Sequence, residues 1–256
     1  MTDLLRSEWF KLRTLRLNYV LLLIGFAFVV VITGLIGIFA DVGDFTTTSS
    51  SDIAEIVGGT SILAGLLISV IGVLTISSEF GHGTIRPTLV ATPSRPKVFI
   101  AKAIVLAVLA FVSALVIGLA GYLVGYVLFS ARGAEGLSLF DSDGTLTVIL
   151  IGLPILFVLL TMFGYAVGLL IRNSAAAVTL AILWPILIET IIGTALAVGG
   201  VDEPGKFLPY QSSLALVSPD GADGFAYGRV GGGLFFGVVV FALLALAIAI
   251  NNTRDV

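Results

Sequence analysis

The sequence predicts an all-α membrane protein with six transmembrane helices, both termini on the cytoplasmic side and a short interfacial helix at the N-terminus. Three observations lead there: composition, the length of the uncharged runs, and the placement of the basic residues. Of 256 residues, 58% are hydrophobic and 11% are charged. Ordinary globular chains run at roughly 45–50% and about 25%. A soluble chain of this size would leave much of that apolar surface in water. The absence of cysteine excludes a disulfide scaffold, and a net charge of −3 excludes a basic nucleic-acid binder.

The spans follow from runs without a formal charge. Between Arg16 and Asp41 lie 24 such residues. At 1.5 Å per residue they make about 36 Å of helix, enough for a hydrocarbon core of about 30 Å. Later runs cover 56–78, 103–131, 144–171, 173–201 (interrupted only by Glu189) and 230–253. Trimmed to their apolar cores, the spans read as about 19–39, 57–77, 99–128, 147–170, 175–198 and 231–250. The first run is too long for a signal peptide and has no small-x-small cleavage site after it. In the fifth, Pro185 and Glu189 mark where the helix could break.

Lysine and arginine favour the cytoplasmic side. With the N-terminus inside, ten of the thirteen basic residues are cytoplasmic, and only Arg132, Lys206 and Arg229 lie outside. Eleven of the sixteen acids fall outside. The small net charge hides two oppositely charged faces.

Residues 2–16 precede the first span. Leu4, Leu5, Trp9, Leu12 and Leu15 fall loosely on one side of a helix, with Arg6 and Arg13 on another and Glu8 close to the apolar stripe. This predicts a helix in the inner interface, with Trp9 at headgroup level and the helix's basic residues attracting anionic lipid. The alternative is a plain cap on the first span. The outer loop 40–55 is acidic, rich in Ser and Thr, and reads as a solvated linker.

The inner stretch SSEFGHGTIRPTLVATPSRPKVFIAK is longer than a mere connection needs. Gly81, Gly83, Pro87, Pro93 and Pro96 punctuate it. It reads either as a docking element for a cytoplasmic partner or as a basic loop shaped by the positive-inside bias. Pairs of glycines four apart (Gly121 and Gly125, Gly164 and Gly168, Gly233 and Gly237) permit close helix packing, first within the chain and second in a dimer.

Glu189 is the only ionisable residue well inside a run, and no second buried acid or base accompanies it. Such a residue is a candidate for gating or translocation. The competing role is a hydrogen bond to a neighbouring helix or a freed backbone group. If the helix breaks at Pro185, Glu189 sits in a wet outer vestibule. The segment 199–229 reads as short pieces forming a broken or re-entrant outer cap. There is no GxxxxGK[ST] phosphate loop, and one histidine without cysteine makes no metal site. No enzyme is expected.

Three features together form a pattern: the N-terminal LLRSEWFKLRTLR, the SEF…GTIR…TL…TPSR…AK stretch, and six spans with both ends inside. The chain resembles the permease subunit of ABC transporters of the ABC-2 type. The resemblance implies one permease domain over 1–256 that carries the translocation path of an ATP-driven exporter in the inner (cytoplasmic) membrane. It makes 2–16 an elbow helix, including Trp9, Lys11 and Arg13. It makes 79–97 a coupling segment docking into a separate ATPase, with Glu79, Gly83, Thr84, Arg86 and Arg95 at the matching positions. It implies a dimer of ATPase subunits that binds ATP and magnesium, a second permease copy or homologous half, membrane lipid as a partner, and neither nucleic acid nor a cofactor in this chain. The competing readings are a secondary transporter that uses Glu189 and a non-transporting membrane scaffold.

Overall fold

The computed structural model describes residues 2–39, 49–84, 95–134, 137, 144–219 and 226–253. Its helices are α1 (Thr2–Thr14), α2 (Arg16–Phe39), α3 (Ser50–Gly81), α4 (Arg95–Ala131), α5 (Thr145–Ile171), α6 (Ser174–Val198), α7 (Pro209–Ser213) and α8 (Gly228–Thr253). The fold is all-α, and six of these helices are long and apolar enough to cross a membrane. Each span runs beyond its apolar core. The largest extension is in α3, which begins at Ser50, so the last six residues of the expected 40–55 linker are helical. Ser49 starts it with a capping box: Asp52 accepts the Ser49 backbone N–H at 2.7 Å.

The spans α3 and α5 form the centre of the bundle. In each, 67% of the most apolar stretch is buried, against at most 33% in the other four. Glycine makes their close contact. Gly72 lies against the Thr161 carbonyl, Gly164 against Ser69, and Gly168 against Val73 and Ile76, with no room for a Cβ. In α4, Gly121 meets Val29 and Val57, while Gly125 meets Thr33 and Ile53. The paired glycines of α4 and α5 therefore serve packing within the chain.

The fifth span is not broken. Within α6, a π-helical turn at Trp184–Ile188 absorbs the missing N–H and the ring of Pro185. A second π turn at Val148–Gly152 precedes Pro154 in α5. Between α5 and α6 the chain reverses within two residues. Arg172 adopts a left-handed conformation (φ 55°) and ends α5, and Asn173 caps α6 by accepting the Ala176 N–H at 3.0 Å.

Segment 204–217 is a string of short turns: a 3-10 turn at Pro204–Phe207, then α7, then a second 3-10 turn at Leu214–Val217. It is wedged into the bundle. The carbonyls of Val217, Leu216 and Ser212 press onto Gly58 of α3, Gly152 of α5 and Gly232 of α8, and Tyr210 and Leu216 are buried. Arg229 fastens its far end by donating to the Ser218 and Pro219 carbonyls at 2.7 and 2.6 Å. The expected outer cap is thus a packed insertion.

Candidate functional site

At the end of the bundle where α1 meets α3 and α4, four charged side chains form one network. Lys102 donates to Glu8 Oε2 and to Glu79 Oε1, each at 2.6 Å. Lys11 donates to Glu8 Oε1 at 2.8 Å and to Glu79 Oε1 at 3.3 Å. Two cations and two anions balance formally. The Lys102 side chain is fully removed from solvent and that of Glu8 is 3% exposed, while Lys11 remains 44% exposed. Burial draws the Lys11 ammonium down, but the hydrogen bond to Glu8 and the charge of Glu79 outweigh it. Its pKa stands above the usual lysine value of 10.5.

Local structure sets this geometry. Glu8 sits one helical turn from Leu12 on the buried face of α1. Glu79 is near the C-terminal end of α3, and Lys102 lies two turns into α4. The network therefore clamps α1 to both ends of the 79–97 segment. A cavity of about 300 Å3 adjoins it, lined by Leu15, Thr75, Ser78 and Thr84 besides the charged four. Among the described residues, Glu79 Oε2, buried beside it, has no hydrogen bond.

The same end carries further polar ties. Tyr165 donates its hydroxyl to the Phe99 carbonyl at 3.0 Å. Arg172 holds Asn251 Oδ1 through Nη2 at 2.6 Å and Nε at 3.1 Å, and its guanidinium lies 4.7 Å from the Phe80 ring centre. Asn251 donates to the Leu169 and Ala247 carbonyls at 3.0 and 2.8 Å. These bonds join α3, α4, α5 and α8 around the root of the loop.

Of the residues singled out by sequence, Glu79 and Lys11 belong to this network. Thr84 reaches back to the Glu79 carbonyl at 3.5 Å. Gly83 is exposed with a positive φ of 68°, a conformation natural to glycine. Arg95 opens α4. Arg86 and the rest of 85–94 lie outside the described residues. Trp9 and Arg13 are exposed on α1.

Glu189 is buried, not in a wet vestibule. It is 1% exposed, and both its oxygens are engaged. Oε1 accepts Trp184 Nε1 and the Tyr210 N–H, each at 3.1 Å, and Oε2 accepts the Gln211 N–H at 3.0 Å. The expectation that no other acid or base is buried fails. Glu8 and Lys102 are 2% and 1% exposed, although Glu8 lies outside the spans and Lys102 only two turns into α4. Sequence reasoning missed this pair as a site. The available signal was an acid on the apolar stripe of α1 and a lysine bordering a 29-residue uncharged run.

The family model described as ABC-2 family transporter protein matches residues 4–187. The chain belongs to this family. None of the curated proteins matches it. The match takes in the Glu8–Lys11–Glu79–Lys102 network and ends before Glu189 and the 204–217 insertion. Permease subunits of this family are non-catalytic transport components without a bound cofactor of their own. The chain is accordingly a multi-pass membrane permease, and its family implies association with an ABC ATPase and with membrane lipid.

Proposed function

We propose that this permease, over 1–256, is the membrane half of an ATP-driven exporter. In this reading both termini face the cytoplasm of the inner membrane, and a second permease half completes the path. The helix α1 is the elbow in the inner interface, and 79–97 docks into the ATPase dimer through Arg86 and Arg95. ATP and magnesium act in that partner. The supporting observation is the buried clamp. Glu79 and Lys102 flank the coupling segment and are held to α1 by Glu8 and Lys11. A force on the loop reaches the elbow and two spans together, because breaking a buried ion pair costs about 3–5 kcal/mol. Glu189 secures the outer insertion, whose displacement opens or closes the path.

Copurification with the ATPase and transport by the reconstituted pair test this reading. Arg86→Glu and Arg95→Glu are expected to weaken both. Unchanged pairing and transport after replacing the whole 79–97 segment would overturn it. A secondary transporter is expected to keep transporting without any ATPase.

A further inference from the structure

We infer that the groove between α1, α2 and α4 is a binding site for one anionic phospholipid, with Arg13 holding the phosphate and the α2–α4 seam holding an acyl chain. This rests on α1 lying in the membrane interface, as proposed above.

Two cavities carry the inference. The first, about 260 Å3, is lined by Trp9, Leu12, Arg13, Asn18 and Leu109, and shares Tyr19 and Leu22 with the second. The second, about 320 Å3, continues between the two spans past Phe26, Val112, Ser113 and Val116. From Asn18 to Phe26 along α2 and from Leu109 to Ile117 along α4 the seam runs eight residues, or about 12 Å. It is a trench the length of a good part of an acyl chain.

Charge enters at one end only. Asn18 is buried but spends its amide on the Leu12 carbonyl at 3.0 Å. Ser113 donates to the Leu109 carbonyl of its own helix at 2.7 Å. Neither asks for a ligand along the trench. Arg13 differs. Among the described residues its guanidinium has no hydrogen bond or ion pair, and it stands exposed at the mouth beside Trp9. An unpaired guanidinium above an apolar slot is complementary to an amphiphile with an acidic head, and a planar fork matches phosphate oxygens. The trench wall is apolar and exposed, with Tyr19 at 52%, Leu23 at 67% and Val116 at 53%. In a bilayer hydrocarbon covers it.

The chain has two tryptophans, Trp9 and Trp184. The test uses the full permease in vesicles, carrying Trp184→Phe so that Trp9 alone reports. Quenching is measured with phosphatidylglycerol or phosphatidylcholine brominated on the acyl chain. Expected is strong quenching and about a fivefold preference for phosphatidylglycerol, the scale of one basic group at a membrane surface. Arg13→Gln, an exposed substitution, abolishes the preference, and Arg13→Lys keeps most of it. Ser113→Phe, which fills the trench, lowers quenching by both lipids. Quenching without headgroup preference marks ordinary boundary lipid and overturns the site while sparing the interfacial helix. No quenching by either lipid places Trp9 in water and overturns both. A preference that survives in Arg13→Gln overturns the assignment of Arg13.

Discussion

Replacing Lys102 with methionine tests the clamp most directly. The change keeps an unbranched side chain of similar length and deletes one charge. It removes two bonds of 2.6 Å, to Glu8 and to Glu79. Removing one partner from a buried ion pair costs about 3–5 kcal/mol, because the remaining charge stays out of water. Lys11 still reaches both carboxylates, at 2.8 and 3.3 Å. That residual pairing puts the expected loss near the low end, about 3 kcal/mol. The double variant Glu8→Met with Lys102→Met removes both buried charges and leaves Glu79 with Lys11. Exchanging a buried pair for apolar side chains is often neutral, so the double variant recovers most of the loss. Unfolding in mixed micelles gives the free energies, and their non-additivity gives the coupling. Trypsin cleavage at Arg13 and Arg16 reports release of α1. A Lys102→Met loss within about 0.5 kcal/mol, the range of ordinary surface changes, would refute the reasoning. So would a double variant no more stable than the single one.

Other outcomes follow from the same geometry. Gly152→Ala drives a methyl group into the Leu216 carbonyl and costs about 1–3 kcal/mol by unfolding, whereas Gly59→Ala, with open space around it, stabilises α3 by about 0.5–1 kcal/mol. Glu189→Gln turns an NH2 toward one of the two backbone N–H groups it now accepts and destabilises by about 1–3 kcal/mol; transport assays on folded protein then show whether its charge serves beyond this. Because the Lys11 pKa is raised in the folded state, its stabilising contribution is complete below pH 10.5 and disappears as pH climbs through the raised value. The unfolding midpoint of the native protein therefore falls more steeply over that alkaline range than that of Lys11→Met.

Much of this was legible in the chain. Six spans follow from runs that only a helix in lipid can satisfy, because backbone groups there have no water to pair with. The spacing of Gly164 and Gly168 showed that helices approach closely somewhere, and the SEF…TPSR stretch pointed to the family. What stayed hidden depends on partners far apart in sequence. Glu8 and Lys102 are 94 positions apart and each looks like an ordinary flanking charge until α1 folds against α4. Pro185 reads as a breaker because local rules cannot foresee a π turn that rehouses its ring.

The sequence by itself determined that the protein is helical, that six of its stretches are long and apolar enough to cross a membrane, and to which family it belongs. Hydropathy and charge are additive along a chain, so they can be summed without knowing the fold. Only the tertiary structure decided that α3 and α5 are central although all six spans are comparably apolar. It also decided that Glu189 caps a wedged insertion and that a lysine bordering a span is the centre of a buried ion network. Lipid and protein interior are alike to an apolar side chain, so hydrophobicity cannot tell one from the other. That distinction comes from shape and hydrogen-bond partners, which exist only once the helices have met.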